Sequence, residues 1–210
     1  MRSYNNTMIQ RLSILLITLC LAFCAVAQSP VANRDAVLAR IVAAQNPKAG
    51  KSIKYTFTQT KHSPLLAQDA VSHGTVTLTG ERYLRWHYTA PRNHAIIVDG
   101  DSIYAETDGK KHQLAGPAGS IMRNMTSTMM SLTAGNGLKD EKLFAVELTE
   151  DASGYHATLT PKRRDLRRMM KQIIADFDKK SCRLRKVKLI EMSNSYTLIE
   201  FRDRGKYWKR

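Results

Sequence analysis

Between residues 53 and 201, outside the stretch from Gly116 to Gly137, apolar and polar positions alternate in short runs. Ile53, Tyr55 and Phe57 interleave with Lys54, Thr56 and Thr58, and beyond Pro64 Val76 and Leu78 interleave with threonines. Successive side chains of a strand point to opposite faces, so a period of two predicts strands with one buried face. The pattern is sharpest at Leu84-Arg85-Trp86-His87-Tyr88, which sets Leu84, Trp86 and Tyr88 against Arg85 and His87. Pro91 breaks that strand and an apolar run follows. Asp99-Gly100 and Asp108-Gly109 are dipeptides of tight turns between antiparallel strands. Further strands read as Leu143 to Leu148, Tyr155 to Thr160, Lys171 to Phe177, Leu184 to Ile190 and Tyr196 to Phe201.

Two stretches have helical spacing instead. Asn33 stands as an N-cap before Val37, Leu38, Ile41 and Val42, and Asn46-Pro47 ends that helix. Between Gly116 and Gly137, Ile121, Met122, Met125, Met129 and Leu132 fall on one helical face with Met130 beside them. Methionine is flexible and polarizable and suits surfaces that re-pack around variable partners. This segment is therefore either an adaptable lid over an open sheet or a plain cover that completes a core. There is no low-complexity tract, linker or repeat, and one mostly antiparallel β domain is the natural reading.

Composition changes the picture at both ends. Residues 1–27 carry Arg2 and Arg11, an apolar run from Leu12 to Val26, and Ala25-Val26-Ala27 as a small-x-small site. That predicts a secretory signal peptide cleaved after Ala27, with a domain at 28–210. The run is shorter than the roughly 20 residues a bilayer span needs. Cys20 and Cys24 would leave with the signal, so Cys182 remains without an internal disulfide partner.

Charge is uneven. Residues 28–160 carry 14 Lys or Arg and 12 Asp or Glu, whereas residues 161–210 carry 17 and 6. The densest run is Lys162, Arg163, Arg164, Arg167 and Arg168. It reads either as a docking patch for lipid headgroups or an acidic partner, or as an exposed turn and strand edge kept soluble by charge. Export disfavours nucleic acid as the target. The six histidines are scattered without metal-ligand spacing, and no nucleophile elbow, Cys-His pairing or phosphate-binding glycine loop is present. The sequence thus predicts no metal, no cofactor and no enzyme.

Several segments, taken in order, resemble the LolA family of periplasmic lipoprotein carriers and the wider LolA/LolB-like fold. They are Phe57-Thr58-Gln59-Thr60-Lys61, a Gly-led strand at Gly74 to Leu78, the L-R-W-x-Y-x-x-P motif at Leu84 to Pro91, the stretch Leu159 to Asp178, and a closing Thr-x-Ile-x-Phe strand at Thr197 to Phe201. The resemblance implies an incomplete antiparallel β-barrel with an N-terminal helix and a helical lid. It implies a periplasmic carrier that takes acylated lipoproteins from an inner-membrane ABC transporter to an outer-membrane acceptor, and the expected lipid-binding residues are Phe57, Leu84, Trp86 and Tyr88 together with Ile121, Met122, Met125, Met129 and Leu132 of the lid. Family members often carry an Arg that holds the lid closed. That position falls at Gly80 here, which leaves Arg82 as the nearest candidate. A carrier of a free lipid or glycolipid and an envelope-stress sensor module are the alternatives. In each case the protein is expected as a monomer, with transient contact to anionic membrane.

Overall fold

The computed structural model describes residues 28–46, 51–80, 82–116, 131 and 136–203. Twelve antiparallel strands form one sheet among them, without closing into a barrel. The elements are β1 (Ser29–Pro30), α1 (Arg34–Gln45), β2 (Ser52–His62), β3 (Ala70–Thr79), β4 (Tyr83–Ala90), β5 (His94–Asp99), β6 (Ser102–Thr107), β7 (Lys110–Gln113), β8 (Phe144–Glu150), β9 (Gly154–Pro161), α2 (Arg164–Met169), β10 (Met170–Asp178), β11 (Leu184–Glu191) and β12 (Tyr196–Asp203). A 3₁₀ turn, Asn136–Lys139, buries Leu138 before β8.

The sheet is two meanders joined edge to edge. Strands β2 to β7 pair in chain order, as do β8 to β12, and β12 then pairs with β2. This seam runs from Tyr196 opposite His62 to Asp203 opposite Tyr55. The short β1 extends the far side by pairing with β8.

Register puts one face of every long strand into a common core. Tyr55, Val76, Trp86 and Ile96 form one cross-strand row, and Ile53, Leu78, Leu84, Val98 and Ile103 form the next. In the second meander Leu159, Ile173 and Leu189 make a row, as do Ala157, Ala175, Val187 and Ile199. Helix α1 lays Val37, Leu38 and Ile41 onto this face. Its start is fixed as expected, because the Asn33 side chain accepts the Ala36 N–H at 3.1 Å and satisfies one of the orphan amides of the first turn.

Gln45, at the end of α1, is fully buried. Its Nε2 donates to the Cys182 carbonyl at 2.7 Å, and its Oε1 accepts from the Tyr55 hydroxyl at 3.1 Å and from Leu184 N–H at 3.4 Å. One amide thereby ties the helix to β2 and to the β10–β11 turn.

Three details depart from the pattern. The third strand begins at Ala70, so Gly74 lies inside it and not at its start. Arg164–Met169 forms a short helix in place of an exposed turn, with Leu166 buried and its arginines outward. The strand β7 is polar and exposed throughout, because an edge strand can be held by backbone pairing, here to β6.

Candidate functional site

The inner face of β2, β3, β4 and β12 carries a cluster of five aromatic rings. Phe57 lies 5.1 Å from Trp86 and 5.2 Å from Tyr88 between ring centroids, and Phe201 lies 6.1 Å from Trp86 and 5.8 Å from Tyr55. Tilted and edge-on geometries dominate, as the ring quadrupoles favour. Gly74 makes the cluster possible. A Cβ there would stand 2.0 Å from the His87 carbonyl oxygen and 2.7 Å from the Phe57 ring. The ladder between β3 and β4 shifts register at this point, so that Gly74 faces Tyr88.

Burial falls off across the cluster. Leu84 and Val76 are sealed and Phe57 and Trp86 are buried, whereas Tyr88, Ile96 and Val98 are only half-buried. The face therefore grades from a closed core into open apolar surface. Two polar groups mark it. The Tyr88 hydroxyl donates to Gln59 Oε1 at 3.0 Å, and burial pushes the Tyr88 phenol pKa up. The Trp86 indole nitrogen is buried without an aligned hydrogen bond. The Tyr88 phenol is close enough to feel that N–H, but lacks the alignment to satisfy it.

The opposite face carries Arg85 and His87 on β4 and, opposite them on β5, the deeply buried Ile97 and Ala95. Arg85 grips Glu106 with two hydrogen bonds at 2.9 and 2.6 Å, and this contact holds the Glu106 carboxyl below its usual range. His156 sits between two carboxylates, with Nδ1 2.8 Å from Asp176 and Nε2 3.0 Å from Asp151. The first contact is a hydrogen bond and the second is an ion pair without hydrogen-bond alignment. Burial alone would lower the imidazole pKa, but the two carboxylates outweigh it and the net shift is upward. His156 and Asp176 line a shallow polar groove of about 380 Å³ with Lys186, Glu200 and Arg202. Among the described residues no group of three or more His, Cys, Asp or Glu is placed to hold a metal ion.

The family model described as outer membrane lipoprotein carrier protein LolA matches residues 48–206. The chain belongs to the LolA family. Among solved structures it is similar to a LolA superfamily protein from Nitrosomonas europaea, at 11% identity and a TM-score of 0.42, covering 82% of this chain and 93% of that one. It is also similar to the MucA/MucB complex of Pseudomonas aeruginosa, at 12% identity and a TM-score of 0.44, covering 79% of this chain and 54% of that one. The Mycobacterium tuberculosis lipoprotein LppX is similar at 13% identity and a TM-score of 0.38, covering 83% and 96%. No curated protein matches the sequence.

Within this LolA-family fold, Phe57, Leu84, Trp86 and Tyr88 share one face, as their alternation predicts. Leu84 is deepest, in the closed part of the core, and Tyr88 is nearest the open part. Ile121, Met122, Met125, Met129 and Leu132, with the lid they were expected to form, lie outside the described residues, as do residues 1–27. Arg82 occupies the β3–β4 turn, where Nη2 donates to Asp101 Oδ1 at 3.0 Å, both side chains being exposed. Lys162, Arg163, Arg164, Arg167 and Arg168 gather at and before α2. Among the described residues no helix is long and apolar enough to cross a membrane.

Sequence reasoning missed Gln59, Ile96 and Val98 on the open part of the face. The run Ala95-Ile96-Ile97-Val98 is apolar on both sides, so periodicity could not say which pair faces in. Gln59 could have been found from its alternation with Phe57 in the F-x-Q-x-K motif.

Proposed function

We propose that this LolA-family protein is an exported, periplasmic carrier that holds the acyl chains of lipoproteins on the inner face of its open sheet and passes them from the inner to the outer membrane. The observation that carries this reading is the graded aromatic face. A sheet built only to pack a core has no reason to leave Tyr88, Ile96 and Val98 half-buried beside a buried indole N–H that has no aligned hydrogen bond among the described residues. Each methylene moved from water onto such a face contributes about 0.8 kcal/mol, so ten supply about 8 kcal/mol. Phe57 and Trp86 offer wide rigid surface, and the indole N–H is available to an ester carbonyl of the ligand. Function on this reading is binding and release, with no bond made or broken. By family, the donor would be an inner-membrane ABC transporter and the recipient an outer-membrane acceptor.

The test is mass spectrometry of the molecules that copurify with the protein from its native envelope. Triacylated lipoproteins in stoichiometric amount support the reading, and free lipid alone replaces it with a carrier for a free lipid. Trp86→Asp and the half-buried Ile96→Asp should both strip the ligand. If the folded Ile96→Asp protein keeps its full load, the inner face is not the site.

A further inference from the structure

All five large apolar side chains left exposed among the described residues lie at one end of the sheet. Leu65 (94% exposed) and Leu66 (51%) occupy the β2–β3 connection, and Val71 opens β3. Met169 ends α2 and Met192 sits in the β11–β12 turn. The strands β10, β11, β12, β2 and β3 that carry these segments are consecutive in the sheet. Contacts join the segments to one another. Lys171 Nζ donates to Asn194 Oδ1 at 2.6 Å, Lys61 stands 3.9 Å from Glu191, and the His62 ring stacks on Tyr196 at 4.8 Å. Leu65 and Leu66 are held outward by a built turn. Leu66 N–H donates to the Ser63 carbonyl at 3.0 Å, Leu65 N–H to the Ser63 hydroxyl at 3.3 Å, and His62 meets Asp69 at 2.7 Å across the base.

The same end is rich in uncompensated cations. Lys162, Arg164, Arg167, Arg168 and Lys171 are exposed. Acids nearby are engaged with other partners, namely Asp69 with His62, Asp165 with Arg163, Glu191 with Lys61, and Glu141, whose backbone oxygen accepts from Lys162, with Arg34. Arg164, Arg167 and Arg168 make no ion pair among the described residues.

We infer that this end of the sheet docks on an anionic phospholipid surface. Leu65, Leu66, Met169 and Met192 enter the interfacial layer while Arg164, Arg167 and Arg168 meet lipid phosphates. Separate apolar side chains on neighbouring turns, flanked by cations, suit a surface that is apolar below and anionic above. A protein partner would be better served by a continuous apolar patch, and here the apolar groups stand on three separate connections. The inference does not rest on acyl-chain carriage, since the inner face and this end use different residues.

The experiment is co-sedimentation of the protein, purified from its native host, with phosphatidylglycerol/phosphatidylethanolamine vesicles and with neutral phosphatidylcholine vesicles. Binding is expected to the anionic vesicles, weakened about tenfold or more by L65D/L66D and by R164E/R167E/R168E. Thermal unfolding should be unchanged in both variants, because every substituted side chain is exposed. Ile96→Asp should sediment like wild type, which separates failure of this surface from failure of the inner face. Absence of binding to anionic vesicles, equal binding by both variants and wild type, or equal binding to neutral vesicles would each overturn the inference. So would capture on immobilised polyglutamate without vesicle binding, which would make the face a protein-docking surface.

Discussion

Gln45→Leu tests whether one buried amide joins the helix to the sheet. Leucine matches glutamine in size and leaves α1 its helix propensity, so the change removes hydrogen bonds with little change in volume. The short bond to the Cys182 carbonyl disappears, and the Tyr55 hydroxyl loses its acceptor on Gln45. The 3.4 Å contact from Leu184 N–H is long and counts for little. Depriving a buried polar group of its partner costs about 1–3 kcal/mol. Losing the Cys182 bond costs that much and the weakened Tyr55 hydroxyl adds about 1 kcal/mol; less about 1 kcal/mol returned by an apolar side chain in an apolar site, the net destabilisation is about 1–3 kcal/mol. For a domain of this size that lowers Tm by about 2–12 °C. Denaturant unfolding of Gln45→Leu, Tyr55→Phe and the double variant completes the cycle. Tyr55→Phe alone should cost about 1 kcal/mol, and the double variant should cost less than the sum, because both singles break the same bond. Gln45→Leu within 1 kcal/mol of wild type, or strict additivity, would refute the reasoning.

Gly74→Ala should cost about 3 kcal/mol or more, because its Cβ would meet the His87 backbone oxygen, which cannot swing away as a side-chain tip can. Chemical denaturation would show the loss, and an unchanged midpoint would mean that β3 and β4 separate freely at this point. His156 makes stability depend on pH. Its folded pKa is raised above its unfolded value of about 6.5, so the clamp contributes fully below that pH and its contribution is lost as pH rises through the folded pKa. The Tm difference between wild type and His156→Gln, followed by calorimetry from acid to alkaline pH, should therefore shrink towards alkaline pH, and a flat difference would exclude the clamp as its cause.

The strands and the first helix were legible because their signals are local. Asn33 caps through an amide three residues away, and Leu84, Trp86 and Tyr88 alternate with Arg85 and His87 whatever lies beyond them. Helix α2 was hidden because Leu166 is its only buried residue, and one apolar position makes no period. Strand β7 was hidden because Lys110-Lys111-His112-Gln113 has no apolar position, and its pairing to β6 is supplemented only by Lys111 lying over the Tyr104 ring. The His156 clamp needs Asp151 from the preceding turn and Asp176 from the next strand, and only sheet register brings the latter opposite. Exposure of Leu65, Leu66 and Met192 is likewise a tertiary fact. In the sequence they look like any other apolar residue at the end of a strand.

The β12–β2 seam bears on how the molecule is made. During synthesis the β2–β7 meander emerges first, with β2 as one free flank eleven residues long. Its partner, β12, is the last strand in the described chain. The chain from β3 through β11 must emerge before Phe57 can face Phe201. Loop closure over such a separation makes folding slow, and an open flank of that length invites pairing with another chain in the meantime. Copies are therefore most exposed to aggregation until β12 emerges, and that is when a holding chaperone would have most to protect.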